Sequence, residues 1–346
     1  MLKRLSPLLA LNQTTRPWHI PLLASLCVGL PALVGAYFGR FDLGILGCVG
    51  ALVILYMPRT SIAHRMVTLV VCSFGFLACF TLGVATSFNS YLSAGVLGLT
   101  AMLVTVICRF YRLPPPGSFF FIMVASLACT LPFDLALVPL RVGLVALGGM
   151  LACLLAFFYS LYAVRKTSPP NDAPPVDRHI DAIVLESLVT GSFVGGAFLL
   201  AQLMGLNNPY WVPISCAAIM QGATFTLVWQ RKIHRIVGTA IGMGLAWVIF
   251  SLPFNPWQLG LVIVVLNFII ESLIVRNYGL AVIFITPLTV IFADATTEIP
   301  PQTLVLVRLF DIVLGSFIGL IGGWVLHHPR ALAYIEARIK KRRNEA

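Results

Sequence analysis

The sequence predicts an all-α integral membrane protein. It has about twelve transmembrane helices, arranged as two parallel repeats of six with both termini cytoplasmic. Composition, recurring apolar runs and landmarks at a nearly constant offset lead there. Of 346 residues, 59% are hydrophobic and only 10% charged, against roughly 25% charged in a soluble domain. A soluble globule could not cover so much apolar surface.

Apolar runs fall at 20–38, 42–57, 66–87, 91–108, 117–133 and 142–163. They fall again at 182–204, 209–226, 236–253, 256–274, 278–293 and 305–326. Runs of about 18 residues or more predict membrane-spanning helices. Those at 42–57 and 278–293 are shorter than the ~20 residues of a straight span, so broken, tilted or extended helices are expected there. Pro31, Pro132, Pro213 and Pro287 lie inside runs, where proline removes a backbone hydrogen bond and kinks a helix.

With the N-terminus cytoplasmic, 20 of the 23 Lys and Arg residues fall in cytoplasmic segments. Only Arg40, Arg141 and Arg308 lie on the other side or within spans. The positive-inside rule predicts that skew. The net charge of +11 is thus spread over loops and the tail "EARIKKRRNEA", which suits a topology signal touching anionic lipid headgroups. Nucleic acid is not an expected partner, because no clustered basic face is present. The first apolar run is long enough to span and lacks a clear cleavage site.

The two sets of six echo each other. "HR" at 64–65 returns at 234–235, Arg109 returns as Arg276, and Arg141 with Gly148 returns as Arg308 with Gly315. Two sets of six spans run in the same direction, so the expected relation is a pseudo-two-fold axis along the membrane normal. The resulting organisation is a first membrane repeat at 1–164, a Pro-rich cytoplasmic linker at 165–181, a second repeat at 182–328 and a basic tail at 329–346.

Enzyme chemistry has no support: H-E-x-x-H, G-x-S-x-G and the P-loop are all missing. The eight cysteines sit in or beside apolar runs without a C-x-x-C pair and read as small buried hydrophobes. No disulfide, metal or cofactor is expected.

The stretch "PYWVPISCAAIMQGATFTLVWQRKIHRIVGTAIGMGLA" carries a resemblance. It is similar to the signature of the fusaric-acid-resistance (FUSC) family of aromatic acid exporters. The matching elements are Tyr210-Trp211, Gly222-Ala223-Thr224, Arg231, and Arg235 through Gly238, Thr239 and Gly242. The segments "YGLAVIFITPLTVIFAD" and "RLFDIVLGSFIGLIGG" resemble a second family feature, clearest over 205–325. Plant aluminium-activated malate transporters, which are anion channels, look similar. Many family members carry a sizeable soluble cytoplasmic region where this chain has a short linker and tail. The resemblance implies transport of small organic anions, with a periplasmic adaptor as a partner of some such exporters.

The residues also have a reading of their own. Tyr210 and Trp211 suit the aromatic belt at a span's outer end. Gly238 and Gly242, like Gly315 and Gly319, place small residues on one helix face for close packing. The basic cluster 231–235 reads as a loop that anchors topology. The expected structure is a hairpin, aromatic outside and basic inside.

Ionisable residues within spans cost about 2.5–3.5 kcal/mol each on insertion scales, which makes them site candidates. Arg141 and Arg308 occupy equivalent repeat positions and could face each other across the axis to bind a carboxylate, for which the guanidinium fork is suited; Tyr210 and Trp211 are further substrate-binding candidates. Asp311, one turn from Arg308, is placed to pair with it. Glu186 and Glu271 lie in apolar runs near the cytoplasmic side, where they could carry a coupling proton, snorkel, or pair with Arg276. Three functions stay open: a proton-coupled exporter of aromatic or other organic acids in the inner membrane, a passive organic-anion channel, and an accessory or scaffold subunit of an efflux assembly. Membrane lipids are expected partners, and the repeat permits a homo-oligomer.

Overall fold

The computed structural model describes residues 11–164, 180–222, 224–294 and 301–328. Among them lie twelve α-helices, one at each apolar run. The first six are α1 (His19–Tyr37), α2 (Phe41–Ala51, continued by a 3-10 turn, Leu52–Tyr56), α3 (Ile62–Thr86), α4 (Ser90–Phe110), α5 (Phe119–Ala128) and α6 (Val138–Val164). The second six are α7 (Ile180–Leu203), α8 (Trp211–Met220), α9 (Phe225–Phe250), α10 (Pro256–Leu273), α11 (Tyr278–Asp294) and α12 (Pro301–His327). The described residues hold no strand.

Local chemistry starts several of these helices. Asn89 accepts from the backbone N–H groups of Tyr91 and Leu92 at the start of α4. Asn255 and Gln258 form a reciprocal capping box at α10, with Pro256 in its first turn. Each satisfies donors that a helix end leaves open, and within lipid no water would do so.

Eight helices are long and apolar enough to cross a membrane. The other four, α2, α5, α8 and α11, are short and stand second and fifth in each set of six. All ten residues of α8 are buried, so its ends meet protein. The long helices instead expose apolar stripes: Val70 and Phe74 on α3, Leu147, Met150 and Leu154 on α6, Leu261 and Val265 on α10. Surfaces of that size are foreign to soluble monomers; here they suit hydrocarbon. This is a multi-pass membrane protein.

Packing neighbours come in corresponding pairs. α4 packs on α7 as α10 packs on α1; α8 packs on α12 as α2 packs on α6; α9 packs on α11 as α3 packs on α5. In each case a shift of six helices turns one contact into the other. The α4–α7 and α10–α1 contacts join the two sets.

Three expectations are corrected. Pro213 stands in the first turn of α8 and Pro132 lies beyond α5. Neither therefore breaks a helix interior, whereas Pro31 and Pro287 do lie inside helices. The basic cluster 231–235 is not a loop: α9 begins at Phe225, capped by the Thr224 side chain, which accepts from the Leu227 N–H. Its 26 residues span about 39 Å at 1.5 Å per residue, so the cations lie along a helix. Finally, Tyr210 and Trp211 are not belt residues. Both are buried, packed with Ile214 against Phe119, Met123 and Leu127 of α5.

Small residues set the α9–α11 approach. A Cβ on Gly242 would stand 2.5 Å from the Ile283 carbonyl, and one on Gly238 would stand 2.8 Å from that of Gly279. A Cβ on Gly244 would meet nothing within 4 Å. Gly242→Val is therefore expected to destabilise the protein by about 1–3 kcal/mol through overpacking. Gly244→Ala should be neutral or slightly stabilising. Thermal unfolding of the two variants in detergent checks this.

Candidate anion site along α8

The site is built on one face of α8. Trp211, Ser215 and Ala218 recur at helical spacing and so share a face. Each meets a guanidinium group. Arg308 of α12 lies over the Trp211 ring, 3.8 Å from its centroid. Arg235 of α9 donates through Nη2 to Ser215 Oγ at 3.2 Å and through Nη1 to Tyr278 Oη at 3.3 Å. Arg231, one turn earlier on α9, donates through Nη1 to the Ala218 carbonyl at 3.3 Å and to Gln221 Oε1 at 3.4 Å. Three cations thus stand in a column beside a half-length helix. Lys232 is outside it, seated between the rings of Trp229 and Phe317 at 3.8 and 4.7 Å.

Burial makes this column demanding. Arg308 is 3% exposed and Arg235 is 6% exposed. Arg308 Nε and Nη1, and Arg235 Nε, have no protein acceptor among the described residues. Buried charges are normally paired and hydrogen-bonded. An anion with planar oxygens would supply the acceptors that α8 lacks.

A cavity of about 120 Å³ reaches the base of the column, lined by Thr105, Arg109, Glu186, Thr190, Gln221 and Arg231 among others. It lies where α4 meets α7, at a junction between the two sets of helices. Its walls combine two guanidinium groups and one carboxylate with hydroxyl and amide groups.

The sequence candidates are not brought together as expected. Arg141 donates through Nη1 to the Pro132 carbonyl at 2.6 Å and is only partly buried. Its helix packs on α1, α2 and α3, whereas that of Arg308 packs chiefly on α8, α9 and α7. Arg308 does not ion-pair with Asp311, whose two carboxylate oxygens have no hydrogen-bond partner among the described residues although the side chain is fully buried. Tyr210 and Trp211 do reach the site, Trp211 directly.

Glu186 and Glu271 are both answered by arginine. Glu186 of α7 accepts from Arg109 of α4, with Nε at 2.9 Å. Glu271 of α10 accepts from Arg16, just before α1, at 2.8 Å, so Arg276 is not its partner. The two pairs sit at the two junctions between the sets, with the signs exchanged. Sequence reading missed Arg16, Arg109, Arg231 and Arg235. The signal for the last two was Thr224, whose capping hydroxyl marks a helix start well before them. Among the described residues no group of three or more metal-ligating side chains occurs.

Comparison with known proteins covers the same helices. Residues 196–322 match the family of fusaric acid resistance protein-like proteins. That span begins in α7, ends in α12, and contains Trp211, Ser215, Arg231, Arg235, Arg308 and Asp311. The resemblance carried by residues 205–325 is therefore borne out. The chain is also similar to the uncharacterized membrane protein YvaC of Bacillus subtilis (strain 168). They are 23% identical over 458 residues, covering 90% of this chain and 73% of that protein. An uncharacterized protein of Synechocystis sp. is 26% identical over 133 residues, 38% of this chain but 17% of its own length. No solved structure matches.

The ion pairs differ in environment. The Glu271 and Arg16 side chains are 8% and 17% exposed, while Arg109 is 54% exposed. Glu271→Ala is expected to cost on the order of 3 kcal/mol, because it leaves a largely buried cation. Arg109→Ala should cost under about 1 kcal/mol. Urea unfolding in detergent should rank the two variants in that order.

Proposed function

We propose that the protein is a secondary transporter of the inner membrane that exports aromatic or other organic acids, coupled to protons. The observation that carries this reading is Arg308, buried beside Trp211 with two guanidinium nitrogens lacking an acceptor. The family match over α7 to α12 supports a transporter-like role. In this reading a carboxylate enters through the cavity at Arg231 and moves along α8 past Arg235 to Arg308. Such rings or columns of donors are how membrane pathways replace an ion's hydration.

The proposed frame is two parallel repeats, 1–164 and 182–328, with 165–181 as cytoplasmic linker, 329–346 as basic tail and both termini cytoplasmic. The corresponding packing pairs support it. A periplasmic adaptor is a partner consistent with export, and organic anions and lipids are the small partners.

Flux of radiolabelled hydroxybenzoate into proteoliposomes, with and without an imposed pH gradient, tests the reading. Accumulation that needs the gradient and collapses with an uncoupler is the expected result. Downhill flux indifferent to pH would identify a channel; no flux would favour the accessory role. Arg308→Ala should raise the half-saturating concentration about ten- to a hundredfold, the weight of 1.5–3 kcal/mol for hydrogen bonds to a charged group. Arg141→Ala, remote from the column, should stay within about twofold of wild type on the same scale.

A further inference from the structure

Asp311 follows Arg308 by one turn of α12, is fully buried, and has no hydrogen-bond donor on either oxygen among the described residues. Other carboxylates are engaged elsewhere: Glu186 with Arg109, Glu271 with Arg16, Asp42 with Arg40, and Asp134 with the Ala136 N–H. Each helix packed against α12 presents few titratable groups here. α8 brings Tyr210 beside the Trp211 ring. α9 brings Arg235, which is engaged with Ser215 and with Tyr278 of α11, and Lys232, whose ammonium group lies between the rings of Trp229 and of Phe317 on α12. The charged residues of α7, Asp181 and Glu186, stand in its first two turns. A buried carboxylate and a buried guanidinium thus lie a turn apart, each with open hydrogen-bonding positions, and do not satisfy each other.

We propose that Arg308 and Asp311 form a joint site for one carboxylate anion and one proton. The proposal rests on the reading of Arg308 as the anion contact. While Asp311 is ionised, its charge repels an incoming carboxylate in a medium of low dielectric, and its oxygens offer no donor. Once it takes a proton from water, the group is neutral and its O–H can donate to the anion that Arg308 holds. Anion and proton therefore bind together rather than in competition. A site of this kind moves the acid as a neutral pair, so net flux follows the combined gradients of anion and proton: export through it is driven by the outward anion gradient, and an inward proton gradient opposes it. Anion binding favours the protonated site, so affinity falls as pH rises, by up to about tenfold per pH unit when one proton is linked.

The test is calorimetric titration of the purified full-length chain in detergent with benzoate, between about pH 5.5 and 8, where a simple carboxylic acid stays ionised. Two buffers of different ionisation enthalpy give the protons taken up per anion bound. The expected result is about one proton per benzoate in the wild type and affinity that weakens as pH rises. Asp311→Asn should bind benzoate with no proton uptake and no pH dependence. Wild-type binding without proton uptake, or unchanged linkage in Asp311→Asn, overturns the joint site while leaving Arg308 as an anion contact. Arg308→Ala that binds like wild type, or a wild type that binds no benzoate, refutes the anion contact itself and the joint site with it. If Asp311→Asn does not fold, the wild-type proton count decides alone.

Discussion

A guanidinium group withdrawn from water has to be answered by something, and the second half of this protein sets two buried ones and a half-buried third along one helix. Arg231, Arg235 and Arg308 come from two helices but converge on one face of α8. That helix is only ten residues long, too short to cross a bilayer by itself. Its burial on all sides is what permits non-spanning length, because both of its ends meet protein instead of hydrocarbon. Shortness and cation burial are thus one arrangement. A full-length helix here would carry its own apolar surface past the arginines and leave no polar lining beside them.

The close approach of α12 to α8 makes this geometry possible. A Cβ on Gly319 would stand 2.7 Å from the Cys216 carbonyl, so the helix backbones touch along this seam. With that contact fixed, Arg308 is held at the level of Trp211 and Asp311 one turn below. The pairing of cation and aromatic face adds attraction that grows when both are desolvated. It answers the charge without using up the guanidinium donors, which stay available for planar oxygens.

The junctions between the two sets of helices use a different device. Arg109 with Glu186 and Arg16 with Glu271 are direct ion pairs, one at each junction, with acid and base exchanged between the sides. Corresponding packing with exchanged charges keeps the two sets similar in shape without making them identical. The site follows that asymmetry. Arg141 lies in the first turn of α6, the helix that a shift of six turns into α12, yet it bonds the Pro132 carbonyl.

The amino-acid sequence by itself determined the membrane class, the twelve apolar helices and their near boundaries, because hydropathy acts over a span-length window and needs no neighbour. It also pointed to the family, to Arg308 and to the small-residue seams, since those are patterns along one chain. Tertiary structure alone decided that Tyr210 and Trp211 face protein, that 231–235 lies within a helix facing α8, and which acid meets which base. Glu271 finds Arg16 from 255 residues away, and no local rule selects that partner over Arg276. Periodicity tells which residues share a face; what the face meets is set by how the helices pack. The physical reason is that a charge in low dielectric is governed by its nearest few ångströms, and those are filled by segments distant in sequence.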